Sequence, residues 1–151
     1  MPVHVTRQAR RSPPLDSRRV RTIAGRMLRE LGLGKAELSL LLTDDEGIRA
    51  LNAKHRDKDK PTDVLAFPQD ITSLDQPIPE GGGTGLVLGD VVISLDTAAR
   101  QAASRKRSLL EEVRFLLAHG LLHLVGYDHA TPEEKRQMTR ATRRLVRAAS
   151  T

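Results

Sequence analysis

The sequence predicts a single α+β domain: a small sheet of about four strands packed with about five helices, one of them central and buried. Three observations lead there. Short apolar or alternating runs recur between longer stretches of helical periodicity. Most helical stretches open on a residue that can cap them. The stretch 109–125 is apolar around most of its circumference, as a helix must be when others pack on it. At 151 residues, with no internal repeat and no linker, the chain reads as one domain spanning 1–151. That is long enough for a normal core.

Val3-His-Val-Thr-Arg7 alternates and reads as a short first strand, followed by a break at Ser12-Pro-Pro-Leu15. Asp16 or Ser17 caps a helix to about Leu31, with Val20, Ile23, Met27 and Leu28 on one face, and Gly32 and Gly34 end it. Glu37 to Leu42 reads as a strand. Thr43 or Asp44 then caps a second helix to about His55. Arg56 to Asp63 is a charged connector and Val64 to Phe67 a short apolar strand. Pro68 to Gly85, with three prolines and the Gly81-Gly-Gly83 run, is a long loop of the kind that is functional or disordered in compact domains. Leu86 to Ser94 is nearly continuously apolar, as a central strand is. Asp96 or Thr97 caps the next helix, to about Arg105. Ser108 with Glu111 forms a capping box for a helix over about Leu109 to Val125. Thr131-Pro132 opens a last amphipathic helix to about Ala149, with proline in its first turn.

Charge is segregated. Residues 1–31 hold eight arginines against Asp16 and Glu30, and residues 133–151 hold six basic residues against Glu133 and Glu134. The middle, 32–132, has eleven basic and fifteen acidic residues. A basic N-terminal segment and a basic C-terminal helix favour a polyanion partner, with a solvated arginine-rich face as the plainer reading. The basic segments lack the bulky aromatics of a membrane-surface helix, and no apolar stretch approaches the ~20 residues that span a bilayer. No apolar run follows Arg7, Arg10 and Arg11, so no signal peptide is visible. The chain has no cysteine, which excludes disulfides and thiolate catalysis and fits a cytoplasmic location.

Three of the five histidines fall in His119-Gly-Leu-Leu-His123-Leu-Val-Gly126-Tyr-Asp-His129. His119 and His123 are four apart in a helical segment, so their imidazoles project from one face. Gly126 ends the helix and lets the chain bring His129 back. Three neutral imidazoles with a fourth position open match the coordination of a catalytic zinc ion, one per chain. A structural zinc site needs a fourth protein ligand, usually cysteine. The plainer alternative is three satisfied structural histidines. The spacing His-x-x-x-His-x-x-Gly-x-x-His is that of the metzincin proteases, but those carry a glutamate base directly after the first histidine, where this chain has Gly120. A glycine accepts no proton, so the metal cage is present without the usual protease base.

Together with Arg56-Asp-Lys-Asp-Lys-Pro-Thr-Asp-Val-Leu-Ala-Phe-Pro68 and Leu88-Gly-Asp-Val-Val-Ile-Ser94, the histidine run resembles the bacterial YbeY family over about residues 37–130. The resemblance implies a zincin-like α+β fold and a single-strand-specific, metal-dependent endoribonuclease. Its implied work is 16S rRNA 3′-end maturation, ribosome assembly and ribosome quality control. The implied partners are RNA, chiefly ribosomal RNA, and the ribosomal subunit or its proteins, with neither DNA nor membrane. His119, His123 and His129 become metal ligands for zinc. Arg56 becomes the catalytic and substrate-binding arginine that contacts the RNA phosphate. Asp90 lies in the glycine-aspartate strand motif, where it and Asp128 are candidates for orienting the ligands from behind. The chain departs from the family pattern at His55, Asp57 and Ala66, where an aromatic, a glycine and a serine are common.

Zinc would lower the pKa of its water to about 7 and polarise a phosphoryl oxygen, while Arg56 stabilises charge in the transition state. Either metal-bound water or a metal-activated 2′-hydroxyl would attack the phosphodiester. The competing readings are a non-catalytic rRNA-binding assembly factor with a structural metal, and a metallohydrolase with a displaced base. Locally, Arg56 has the alternative of a surface ion pair with Asp57, Asp59 or Asp63. Asp128 has that of stabilising the turn, and Tyr127 that of packing rather than proton donation. His55 suits the surface, and His4 has no supporting context.

Overall fold

Side chains cap the start of all five helices in the computed structural model, which describes residues 3–8, 14–69 and 80–150. Asp16 accepts from the Arg18 N–H ahead of α1 (Ser17–Glu30), and Asp44 from the Gly47 N–H ahead of α2 (Asp45–Arg56). Ser108 and Thr131 form reciprocal capping boxes with Glu111 and Glu134 ahead of α4 (Leu109–Leu124) and α5 (Pro132–Ala148). Each cap satisfies backbone donors that the helix leaves open, an effect of about 1 kcal/mol. One start differs from the sequence expectation. The cap of α3 (Leu95–Ser104) is Ser94, not Asp96 or Thr97. The reason is a polar knot between helix ends. Ser94 Oγ accepts from the Thr97 N–H and donates to Asp45 Oδ1 at 2.7 Å, and Thr97 Oγ1 also donates to Asp45. Asp96 instead accepts from the Asp45 backbone N–H.

The strands are β1 (Val3–Arg7), β2 (Glu37–Thr43), β3 (Val64–Pro68) and β4 (Val87–Ser94). They form one sheet in the order β1-β2-β4-β3, with β1, β2 and β4 parallel and β3 antiparallel to β4. The apolar β4 is therefore internal, as expected of a strand buried on both faces. The break at residues 12–15 and the loop at 68–85 lie in part outside the described residues; a short 3-10 turn at Glu80–Gly82 precedes β4.

The helices make three layers with the sheet. Leu38, Leu40 and Leu42 of β2 and Val91 and Ile93 of β4 face a core shared with α1 and α4. On the opposite face Leu65 and Val92 pack with Ile48 and Leu51 of α2. Helix α5 lies outside, against α4 and α1. Met27, Leu28, Leu116, Leu117 and Leu121 are fully buried. Each such side chain contributes about 1.5–3 kcal/mol over remaining exposed.

One carboxylate inside this apolar layer fixes the start of α4. Glu112 has no exposed surface, and its two oxygens accept from Arg105 and Arg107 at 2.7 Å each. Both guanidinium groups also lie within 5.6 Å of the Phe115 ring centroid. The α3–α4 turn is thereby clamped to the first turn of the central helix. Replacing Glu112 with Gln keeps the shape and removes the charge, leaving two cations to face an amide. The expected loss is about 1–3 kcal/mol, read as a lower urea midpoint at unchanged slope.

Candidate metal centre

The metal ligands predicted from sequence converge. His119 and His123 occupy successive turns of α4, and their Nε2 atoms are 3.3 Å apart. Two imidazole nitrogens on one tetrahedral zinc at ~2.0–2.1 Å would be about 3.3–3.4 Å apart, so this pair already has the required bite. The chain then reverses in a Schellman turn: Gly126 N–H bonds to the His123 carbonyl and Tyr127 N–H to the Leu122 carbonyl. Gly126 holds φ 103°, a conformation that excludes other side chains. His129 comes back to the pair, so that one ligand atom from each histidine lies within 4.8 Å of the others. Closing the triangle needs a shift of at most about 1.5 Å, and the exposed His129 has the freedom to make it. The donor set of three nitrogens with one side open to a cavity fits zinc.

Electrostatics agree with neutral ligands. Burial pushes the pKa of His119 below the usual 6.5, and the neighbouring His123 and His129 push it further; His123 is lowered by burial and by His129. A metal ligand must be unprotonated, so this environment prepares both rings for a cation.

The three histidines line a cavity of about 750 Å³ with Arg56, Lys58, Lys60 and Asp63. Arg56, the last residue of α2, is exposed and forms no ion pair among the described residues. Its Nη2 donates to the Ala66 carbonyl at 2.6 Å and its guanidinium lies 5.4 Å from the Phe67 ring centroid. Asp59, one of the partners considered for it, is taken by Arg49 at 2.8 Å. Arg56 also contributes to lowering the pKa of His123, as a nearby cation must. Asp57, where relatives in the resembled family commonly have glycine, holds φ 56° and ψ 34° as the C-cap of α2. That left-handed conformation explains the glycine, and aspartate is among the few other residues that adopt it readily.

The remaining candidates separate. Asp128 Oδ1 accepts from the His129 backbone N–H at 2.7 Å, so it stiffens the turn that presents this ligand. Asp90 pairs with Phe67 across the sheet and alternates with Val91, which faces α4; it is exposed on the opposite face from the histidines and outside the cavity. Tyr127 packs against the core and lines a groove with residues of α5. His55 is exposed with its ring 5.0 Å from that of Phe67, and His4 is exposed on β1. Lys58, Lys60 and Asp63, which the sequence places in the charged connector and its motif, also line the cavity. Asp63 is the one carboxylate in the lining among the described residues. It is held by the Val64 N–H at 2.7 Å and by the Gln101 side-chain amide at 3.2 Å, and it acts on His119 as a nearby negative charge. The signal available in the sequence was their place in the Arg56–Pro68 motif, which leads directly into a strand.

The lowered histidine pKa values predict the direction of a pH effect. In the metal-free protein the unfolded chain protonates these rings first, near 6.5, so stability is present above that pH and falls as pH drops through the lower folded values. Calorimetric midpoints of chelator-treated protein should therefore decline below about pH 6.5, and replacing both His119 and His123 with Gln should flatten that decline.

A family model described as Endoribonuclease YbeY matches residues 7–150. Proteins of the same description are similar to the chain. One from an Anaeromyxobacter species is 50% identical over 132 residues, covering 87% of this chain and 64% of that protein. One from Aquifex aeolicus is 48% identical, covering 79% and 73%. One from Salinispora tropica is 42% identical, covering 87% of each. The chain thus spans just under two thirds of the Anaeromyxobacter relatives. A Thermotoga maritima protein solved in solution shares the fold, with a TM-score of 0.66 at 20% identity over 97% of this chain and 88% of that one. With its fold, its histidine cluster and these relatives in agreement, the chain belongs to the YbeY family.

Proposed function

We propose that the chain is a zinc-dependent endoribonuclease cutting single-stranded RNA. Its proposed setting is the cytoplasm, in 16S rRNA 3′-end maturation, ribosome assembly and ribosome quality control. The observation that carries the reading is the cavity in which three convergent imidazoles meet Arg56, Lys58 and Lys60. A neutral nitrogen cage with a wall of three cations suits a phosphodiester better than a peptide. The family description supports RNA as the polymer, and the basic ends of the chain support a polyanion. No helix among the described residues is long and apolar enough to cross a membrane.

Zinc held by His119, His123 and His129 supplies Lewis acidity and a lowered water pKa. The protein's own groups do the rest. Arg56 offers two parallel donors to the scissile phosphate and meets charge that grows in the pentacoordinate transition state. Its stack on Phe67 and its bond to the Ala66 carbonyl hold the guanidinium in place beforehand. Lys58 and Lys60 bind the phosphates on either side. Asp63, the carboxylate that lines the cavity among the described residues, accepts the proton of the attacking hydroxyl, whether water or the RNA 2′-hydroxyl; as the new P–O bond forms, the bond to the leaving ribose oxygen breaks and that oxygen takes a proton from solvent. Ribosomal RNA and ribosomal proteins are the partners this reading expects. With two phenylalanines and one tyrosine in the chain, recognition rests on backbone charge and RNA shape rather than on base stacking.

Two substitutions separate the roles. Replacing His123 with Ala should remove stoichiometric metal, measured by elemental analysis. Replacing Arg56 with Glu should leave metal bound while abolishing cleavage of single-stranded RNA. Metal-free wild type together with normal cleavage by the Arg56 variant would overturn the reading. For the proton, Asp63→Asn should keep metal and RNA affinity but lower kcat about 10²-fold or more. An unchanged kcat assigns the proton elsewhere.

A further inference from the structure

The metal cavity opens on one side of α4. A second, smaller cavity of about 280 Å³ lies where α1, α4 and the C-terminal end of α5 meet. Arg18, Arg19, Arg26 and Arg114 line it, with Thr22 and Ser150. Arg18, Thr22 and Arg26 repeat every four residues and share a face of α1. Arg114 precedes His119 by five residues, which is about 140° around the helix. The two cavities therefore occupy nearly opposite sides of α4.

The arginines here are used differently from those elsewhere. Arg49, Arg100, Arg105, Arg107 and Arg144 each hold a carboxylate at 2.7–2.8 Å. Arg18, Arg19 and Arg114 form no ion pair among the described residues, and Arg114 Nε is buried with no hydrogen-bond partner. The carboxylates nearby are bonded to helix starts, Asp16 to the Arg18 N–H and Glu111 to the Ser108 N–H, and Glu111 acts on Arg114 only as a nearby charge, without an ion-pair contact. The guanidinium groups of Arg18, Arg19 and Arg114 around one cavity therefore favour an anion between them. Their planar forks match phosphate oxygens, which accept two parallel bonds. Helix α1 has no aromatic residue and no aromatic lines this cavity, and Ile23 and Leu28 of α1 are buried in the core, so the face has no bulky apolar group to enter a lipid surface.

We propose that this arginine cavity is a second phosphodiester-binding site, gripping RNA backbone on the side of α4 away from the metal centre. The proposal rests on the RNA reading above. RNA long enough to wrap the helical layer engages both sites, and the second adds affinity through effective concentration. A short oligonucleotide reaches only the metal centre. The site thus selects long or structured RNA without taking part in the chemistry.

The test uses the full chain carrying R18E and R19E together, both positions being exposed and remote from the ligands. The probes are a single-stranded oligonucleotide of about six residues and a hairpin with a single-stranded tail, about forty residues in all. With chelator present to stop cleavage, affinity for the long RNA should fall at least about tenfold. The slope of log affinity against log salt should drop by about one to two. With metal restored, cleavage of the short oligonucleotide should stay within about twofold of wild type. Unchanged affinity and slope for the long RNA overturn the proposal. So does displacement of that RNA by polyglutamate from wild type but not from the double variant, which assigns the cavity to an acidic protein. If neither RNA is cut yet long-RNA binding depends on Arg18 and Arg19, the nuclease reading fails and this site stands.

Discussion

The closeness of α4 to the sheet governs the metal centre. Gly120 faces β3 and β4 so closely that a Cβ there would lie 2.7 Å from Val91 Cγ1 and 3.3 Å from Val64 Cγ2. Carbon atoms prefer about 3.5–4.0 Å. Glycine inside a helix costs about 1 kcal/mol relative to alanine, so its presence here reflects the packing it permits. The flanking His119 and His123 are thereby carried down to the sheet edge, beside the β3 segment that Arg56 touches through Ala66 and Phe67. At the other end of the helix, Glu112 and its two arginines fix the axis.

Gly120 also shows what a sequence can and cannot convey. In the sequence it reads as a missing base. In the structure it is a packing position, where no glutamate fits against Val91 and Val64. The helices were legible because their caps are local: Asp16, Asp44, Ser108 and Thr131 act within three residues of themselves. At α3 the sequence suggests Asp96 or Thr97 as the cap; Ser94 caps just as locally, through the Thr97 N–H, but it is also the last residue of β4 and its hydroxyl further serves Asp45, 49 residues away. Burial lifts the Asp45 carboxyl, yet the hydroxyls of Thr97 and Ser94 and the guanidinium of Arg100 outweigh it and hold the group below its usual range. The three histidines were legible because one helix turn and one glycine bring them together. Lys58, Lys60 and Asp63 were legible as members of a charged motif but not as cavity lining, because a connector has no period and its direction is set by the strand it enters. The same holds for Asp90: its motif is visible, but which face of β4 it occupies depends on the register with Phe67.

Charge segregation along the chain acquires a spatial meaning. Several of the acidic residues in 32–132 serve helix starts or the pairs Arg100–Asp45 and Arg107–Glu112. Much of the basic excess of the ends lies on α1, which packs on the sheet beside α4, and on α5, which lies outside both. Part of it is neutralised there, as where Arg144 joins Glu30 and ties α5 to α1. The remainder faces solvent and strengthens long-range attraction for a polyanion, an effect that salt screens over about 10 Å at 0.1 M. Local cations at the cavity and more distant ones on α1 and α5 would therefore act at different ranges on the proposed polyanion partner.

The absent glutamate bears on which reaction the proposed metal site would suit. A protease must protonate a poor amine leaving group, and a glutamate one residue after the first histidine shuttles that proton. Here the helix gives up that position for contact with the sheet, and the cavity's carboxylate comes from the connector instead. Asp63 differs in kind: its oxygens are braced by the Val64 N–H and the Gln101 amide, so it is held rather than mobile. Beside three cations, such a braced carboxylate fits the proposed reaction, in which negative charge spreads over phosphoryl oxygens and the departing ribose oxygen, like a departing amine, must still gain a proton. The packing that leaves no room for a glutamate at position 120 is thus compatible with that proposal.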